Sequence, residues 1–354
     1  MLLLIYKTFF LFITLGDCIL KLSILDYVPI FEGRTATQAL NHTVELAQLA
    51  EQLNYTRYWV AEHHQVFSVA SSSPEMIMMS LLENTSSIQI GSGGIMLPHY
   101  SAYKVAEVFK TMEARHPSRV NLGTGHSKSY NNVNKALNEH KTIPVDYENQ
   151  IDDLIAYFNS DSDNDINHQY KDVYAMPLIN TKPNMFILGT SKKSASLAAV
   201  RGLPFVIANM GQDKEQIKSV ISYYRSSFKA QHPLHHPYVI MASFVITADN
   251  KYLRQDLANA FHLWLLRIGY LDQPKFYPSV DYAKQKSFSS REIEKMNQHN
   301  HRVIVGSANE VISKLKGMMT DFDVDEMMIQ PHVYGEDNRK QLIQLLATAN
   351  FKHK

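Results

Sequence analysis

The sequence predicts an α/β protein of one large domain, a closed (β/α)8 barrel of the TIM type, and three observations lead there. From Lys21 onward short β-type runs alternate with helical stretches, the strand cores are near-continuously apolar, and eight such runs can be counted. Parallel strands covered by helices require that pattern. An open doubly wound sheet is the structural alternative, but its G-x-G-x-x-G turn is missing after the first strand, "LSILD".

The elements follow in order. "KLSILD" (21–26) reads as the first strand, and 35–54 then places Leu40, Val44, Ala47, Ala50 and Leu53 on one helical face. "RYWVAEH" (57–63) is the second strand, followed by a helix from Pro74 to about Glu83. "SIQIGSGGIML" (87–97) is the third, and 101–116 carries Ala102, Val105, Phe109 and Met112 on one face. "RVNLGTG" (119–125) is the fourth. After an acidic, polar loop at 159–168 come "NMFILGT" (184–190), "PFVIANM" (204–210), "YVIMASFVIT" (238–247) and, behind an insertion, "DEMMIQPHVY" (325–334). Within that insertion, 264–290 is rich in aromatics, Pro and polar residues and long for a barrel connection. It reads either as a lid and substrate wall, which would suit an apolar or aromatic substrate, or as an ordinary surface excursion.

Composition narrows the class. The chain has 354 residues, is 45% hydrophobic and 19% charged, and carries a formal charge of +1, so nothing electrostatic points to nucleic acid. Cys18 is the sole cysteine. A disulfide framework or thiolate metal cage therefore cannot form within one chain, which fits a reducing compartment, the cytoplasm. Residues 1–20 are apolar, but Lys7 interrupts them and neither a basic leader nor a small-residue cleavage site is present. The run is also short for a membrane span. Residues 1–20 are expected to be an extension outside the fold, with a signal or anchor as the alternative, 21–354 the barrel domain, and a membrane is not expected as a partner.

In a barrel of this kind the chemistry sits at the C-terminal ends of the strands. Three stretches there are unusual. In "WVAEHHQ" (59–65), strand alternation puts Trp59, Ala61 and His63 on one face and Val60, Glu62 and His64 on the other. The two histidines then cannot easily share an ion, H-E-x-x-H spacing is absent, and no metal is expected. A neutral imidazole at the mouth suits a general base or hydrogen-bond donor near pH 7, and a histidine that merely bonds neighbouring loops is the competing reading. "GSGG" (91–94) places glycines where a flat ring against the barrel wall would need them, or where the rim simply bulges. "ILGTSKKSASLAA" (187–199) offers Thr190, Ser191, Ser194 and the N–H groups of a helix start to a phosphate, with Lys192 and Lys193 adding charge. Plain N-caps would look the same.

In this order and spacing the three stretches resemble the bacterial luciferase-like flavin-dependent monooxygenase family. The resemblance covers Lys21 to the C-terminus and is carried by "EHH", "IQIGSGGIMLPHYSAYKVAEVFKTMEARHPSRVNLGTG", "GTSKKSASLAAVRGLPF" and "VGSANEVISKLKGMMTDFDVDEMMI". It implies a (β/α)8 barrel that binds reduced FMN, or in some branches a deazaflavin, at the C-terminal mouth. Carried over residue by residue, His63 matches the acid/base in the oxygen chemistry of the flavin. Ser92–Gly93 matches a non-proline cis peptide beneath the isoalloxazine, and Ser191 and Ser194 match the phosphate positions. Beside the flavin after the fourth strand, following Gly125, many relatives have an arginine where this chain has His126, with Lys128 two residues on. Histidine cannot grip phosphate as a guanidinium fork does, so either cofactor binding is weaker or Lys128 compensates.

The function so implied is an oxidoreductase using reduced FMN and molecular oxygen on a small, apolar organic substrate. No nicotinamide fingerprint is visible, so a separate flavin reductase is expected to supply the cofactor, and the chain is expected to pair as a homodimer. A non-catalytic flavin-binding protein on the same scaffold and a deazaflavin-dependent reductase are the alternatives; the ionisable His63 at the mouth favours an enzyme.

Overall fold

Runs of β-branched and aliphatic residues build nine strands in the computed structural model: β1 Leu22–Asp26, β2 Arg57–Val60, β3 Gln89–Met96, β4 Val120–Gly125, β5 Asn184–Leu188, β6 Phe205–Ala208, β7 Val239–Ile246, β8 Val303–Val305 and β9 Glu326–Gln330. The structure describes residues 20–352, except 128, 140, 142, 144–145, 160–169, 171–172, 210, 230–235 and 269–272. Residues 1–19 and the acidic loop thus lie outside the described residues almost entirely. All strand pairings are parallel. The strands neighbour one another from β1 through β7, and β9 closes the ring between β7 and β1. This is the (β/α)8 barrel the sequence predicts.

β8 is an addition. Phe244 of β7 pairs with Gln330 of β9 and with Val303 of β8, so β8 must lie on the opposite side of β7 from β9. It continues the sheet above β6, which ends with Ala208 opposite Ala242. A three-residue apolar run carries too little periodicity to be recognised as a strand beforehand.

Inside the barrel, alternate residues form a compact layer of Leu25, Trp59, Ala61, Phe186, Val206, Ile240, Ala242 and Met328. The Trp59 indole occupies the space that the glycines leave. A Cβ on Gly91 would lie 2.4 Å from Trp59 Nε1, and one on Gly93 would lie 2.6 Å from Leu25 Cδ1 and 3.2 Å from Trp59 Cε3. One flat ring against Gly91 and Gly93 is therefore the protein's own, that of Trp59. Barrel interiors are packed cores, and the largest side chain of the layer needs room from its neighbours.

Helices fill the outside. The helix Ala36–Gln52 opens with a capping box of Thr35 and Gln38 and buries Ala39, His42, Thr43, Leu46, Ala47 and Ala50. Leu40, Val44 and Leu53, expected at the centre of its face, flank that stripe half-buried. The face is turned because Thr43 donates to Asp26 Oδ2 (2.8 Å), where the Tyr58 hydroxyl also donates (2.6 Å). The helix Ala102–Arg115 buries Ala102, Val105, Phe109 and Met112, as its spacing predicts. Leu20, assigned to the extension on sequence grounds, is buried, and Asn350 brackets it by accepting from its N–H (3.2 Å) and donating to its carbonyl (2.8 Å).

His42 makes stability pH-dependent. It is 4% exposed, both ring nitrogens lack partners, and burial, helped by the charge of Arg339, pushes its pKa down to about 4. The unfolded chain takes up a proton near pH 6.5 that the native site refuses, so stability is full above that pH and falls as pH drops toward 4. The loss reaches about 3 kcal/mol for this group. Urea midpoints measured from pH 7 to 4 should therefore fall less steeply in His42→Leu than in the parent, and parallel slopes would place the acid sensitivity elsewhere.

Candidate active site

β2 ends at Val60, and the next residues are tied down by their backbones: Ala61 N–H donates to Asp26 O (3.0 Å) and His63 N–H to Ser71 O (2.9 Å). The expected alternation then separates the side chains of "EHH". Glu62, 3% exposed, accepts from the Tyr100 hydroxyl (2.7 Å), the Met96 N–H (2.9 Å) and His64 Nε2 (2.7 Å). Glu62 and His64 thus lock the end of β2 to the end of β3. His63 does something different. Its ring lies 4.4 Å from that of Tyr27, and its Nδ1 is buried with no hydrogen-bond partner. Burial, with the charge of His64, pushes it down to about 4, so at neutral pH it is an uncharged imidazole.

Tyr27, just past β1, is the hub of the mouth. Around it stand His332 at 5.2 Å, Phe244 at 5.8 Å and Trp264 at 6.3 Å between ring centroids. Trp264 and Tyr277 stack at 5.9 Å, and the Tyr277 hydroxyl donates to His332 O (2.8 Å). Trp264 and Tyr277, from segment 264–290, thus back the mouth as buried rings. Both nitrogens of His332 and Oε1 of Gln330 are also buried without partners.

The opposite end of the barrel is a contrast. Arg57 donates to both carboxylate oxygens of Glu326 (2.7 and 2.9 Å) and to Asn121 Oδ1 (2.8 Å), while Tyr238 and Ser23 also donate to Glu326. A cavity of about 820 Å³ opens there; of its charged walls Arg57 pairs with Glu326 and Arg201 with Asp152, while Lys182 donates to Asn159 Oδ1 (2.9 Å) and Lys21 lies over the Tyr238 ring. It lies at the N-terminal ends of the strands, the face that stabilises rather than reacts in this architecture.

The remaining candidates divide into groups. Ser92 is fully buried and its hydroxyl donates to Gly123 O (2.9 Å) and accepts from Gly123 N–H (3.1 Å), so it serves the β3–β4 seam. The non-proline cis bond joins Gly93 to Gly94, one residue beyond the expected Ser92–Gly93. Gly125 is buried beside Met96, and His126 is exposed, its ring 5.4 Å from that of Tyr147. Lys128 lies outside the described residues. Thr190 and Ser191 are exposed after β5, where Ser191 caps the helix Lys192–Val200 by accepting from Ser194 N–H (3.3 Å). Ser194 is buried, its hydroxyl 3.2 Å from that of Ser191. Lys193 turns to Glu148 (3.3 Å), and Lys192 is exposed at that helix start. β4 and β5 are neighbours, so His126, Thr190 and Ser191 share one side of the mouth.

Phe244, Tyr100 and Arg302 were not marked by the sequence. The first sits inside an apolar strand, the second after a Pro turn, and the third just ahead of the missed strand β8. Among the described residues no group of three or more His, Cys, Asp or Glu could hold a metal ion, and no helix is long and apolar enough to cross a membrane.

The profile of the luciferase-like monooxygenases matches residues 21–325. A luciferase-like monooxygenase of Escherichia coli (strain K12) is 30% identical over 342 residues, covering 93% of this chain and 96% of its own. An N-acetyl-S-alkylcysteine monooxygenase of Bacillus subtilis (strain 168) is 38% identical over 216 residues, 60% of this chain and 63% of its own. The crystal structure of apo-MsnO8 superposes with a TM-score of 0.83 at 30% identity, covering 95% of this chain and 99% of that one. Two more distant structures show the fold alone: the oxygenating constituent of 3,6-diketocamphane monooxygenase in complex with FMN (TM-score 0.66, 16% identity, 93% and 96% covered) and an F420-dependent secondary alcohol dehydrogenase (0.63, 14%, 94% and 99%). With the profile spanning most of the chain and a relative 30% identical along nearly its whole length, the protein belongs to the luciferase-like monooxygenases.

Proposed function

We propose that the protein is a flavin-dependent monooxygenase that uses reduced FMN and molecular oxygen on a small organic substrate held at the C-terminal mouth. The observation that carries this reading is the contrast between the two ends of the barrel. Buried polar groups in folded proteins are nearly always paired, and several unpaired ones gathered at one place, as around Tyr27, ask for a missing partner where an isolated one such as His42 does not. At the base Arg57, Asn121 and Glu326 are satisfied, whereas His63 Nδ1, Gln330 Oε1 and both nitrogens of His332 at the mouth are not. A bound cofactor and substrate would supply what is lacking.

The residues present fit FMN. Thr190, Ser191, Ser194 and the start of the helix Lys192–Val200 would hold its phosphate, with Gly125 and His126 alongside and Lys128, outside the described residues, as a further candidate. When bound and reduced, the flavin supplies the electrons for oxygen chemistry. The chain's own part is to orient and to exclude water. Tyr27, packed on the buried rings of Phe244 and Trp264, backs the mouth with aromatic surface, and His63, uncharged at neutral pH, is placed to hold or pass a proton through Nδ1. A separate reductase as the source of reduced flavin, a homodimeric state and a cytoplasmic location belong to the same reading. The relative that acts on N-acetyl-S-alkylcysteines supports a substrate of that size, with an apolar arm suited to the aromatic wall.

The absorption spectrum of the purified protein, with and without added FMN, tests the cofactor, and substrate-dependent oxygen consumption with a flavin reductase tests the reaction. Replacing Ser191 and Ser194 together by Ala should weaken FMN by about 2–4 kcal/mol and riboflavin far less, since only FMN carries the phosphate. Equal losses for the two ligands would move the phosphate elsewhere, with Lys128 next to be tested. Binding of a deazaflavin in preference to FMN would overturn the choice of cofactor.

A further inference from the structure

The valine that follows Tyr27 is strained. Val28 has φ +53° and is fully buried, and of the described non-glycine residues with positive φ it alone is β-branched. A β-branched side chain costs free energy in that region of backbone space, so the conformation persists only where the surroundings impose it, and such sites gather around function. Here the surroundings are explicit. Val28 N–H donates back to Asp26 Oδ1 (2.8 Å), Val28 O accepts from Ala70 N–H (2.9 Å), and Tyr27 O accepts from Ser71 Oγ (3.1 Å). The backbone is therefore pinned on both sides of Tyr27.

Asp26 in turn is set by Arg339. This arginine, buried on the helix Glu336–Lys352, donates through Nη2 to Asp26 Oδ1 and through Nε to Pro331 O (3.0 Å), while Thr43 and Tyr58 occupy the other oxygen of Asp26. One guanidinium thus holds the residue before Tyr27 and the residue before His332, and the rings of Tyr27 and His332 meet at 5.2 Å. A planar fork serves two acceptors in fixed directions, which an ammonium does not. The next link is His63. No hydrogen bond fixes its Nδ1, and among the described residues the ring it packs on is that of Tyr27, at 4.4 Å. Both side chains are half-buried, so they border the open part of the mouth. A group that moves protons must be held closely in place, and here packing on Tyr27 does the holding.

We infer that Arg339 is a positioning residue of this site: through Asp26 and the strained corner at Val28 it fixes the Tyr27 ring, and through that ring the imidazole of His63. The inference rests on the reading that His63 serves the reaction, and it extends the machinery to a buried side chain behind the mouth that acts only through its neighbours.

The test reads the contact between Tyr27 and His63 directly, by nuclear magnetic resonance of the full chain with isotope-labelled histidines. The ring current of Tyr27 displaces the Cε1–H resonance of His63, which His63→Ala assigns, and the displacement is the difference between the parent and Tyr27→Leu. Arg339→Lys keeps the charge beside Asp26 and loses the fork. It should lose most of that displacement and lower kcat for substrate-dependent oxygen consumption by about 10- to 100-fold, with FMN affinity within about twofold, as expected of a misplaced group. Asp26→Asn combined with Arg339→Met removes both charges at similar volume, a change that buried pairs often tolerate in stability. It should fold and show the same two losses, and it carries the test if Arg339→Lys does not fold. Arg57→Met, destabilised at the other end of the barrel, should keep both the displacement and kcat. A parental resonance in the Arg339 variants, whatever their melting temperatures, would overturn the inference, as would an equal loss of displacement in Arg57→Met. Failure of the uncharged combination to fold would make the network a purely structural one and overturn it as well. Because the resonance is read without turnover, failure of the monooxygenase reading would appear separately, as a displacement that depends on Arg339 in a protein without substrate-dependent oxygen consumption.

Discussion

His63→Ala is expected to lower substrate-dependent oxygen consumption by about 10²- to 10⁴-fold, the range typical of a lost general acid/base. FMN affinity and melting temperature should change little. The side chain gives its Nδ1 to no protein group, and the bond from its backbone N–H to Ser71 O survives truncation. His64→Ala is the informative control. It removes one of three donors to the buried carboxylate of Glu62, which keeps Tyr100 and the Met96 N–H, so it should cost about 1 kcal/mol of stability. The pH dependence separates the roles further. Burial holds His63 near pKa 4, so it stays uncharged from pH 8 down to about 5 and gains its proton only below that. Its contribution to rate should be flat across the neutral range and fall as pH drops toward 4. Stopped-flow measurement of the oxygen-dependent step in both variants decides the matter: failure in His64→Ala instead would transfer the role to the other face, and failure in neither would leave "EHH" as a polar strand end.

The barrel was legible because buried parallel strands are apolar on both faces, a pattern that survives without knowledge of neighbours. What was not legible depended on neighbours. "GSGG" announced that something large lies against the third strand, but that Trp59 is such a group appears only when β2 and β3 are laid side by side. Leu40 and Val44 satisfied the helical period as well as Ala39 and Thr43, and the choice fell to the buried Asp26 on β1. At the site, strand alternation was enough to send His63 and His64 different ways. Phe244 and Arg302 are brought together only because β7 and β8 pair, from positions 181 and 239 residues after His63.

The base of the barrel carries the largest expected stability effect. Arg57→Met should cost about 3–5 kcal/mol, because it leaves the Glu326 carboxylate buried without its counter-charge. The arginine is held by several contacts at once. Nε and Nη2 make a bidentate pair with Glu326, Nη1 donates to Asn121 Oδ1, and the guanidinium lies 5.1 Å from the centre of the Phe186 ring. Asn121 Oδ1 also receives the Trp59 indole N–H (3.1 Å), so the same network orients the indole that fills the glycine-lined interior. The magnitude reflects an orphaned charge and not the net worth of the pair, since desolvating both ions offsets most of their attraction. Arg57→Met combined with Glu326→Gln should therefore recover part of the loss, although each change alone removes native hydrogen bonds. Urea unfolding of the two single variants and the double variant measures this coupling. A double variant as unstable as the sum of the singles would show that the carboxylate finds water when Arg57 is gone, and that the base of the barrel is open to solvent. Turnover in the double variant, measured well below its melting temperature, should stay near the parent value, because Arg57 opens β2 at the base while His63 follows its other end at the mouth.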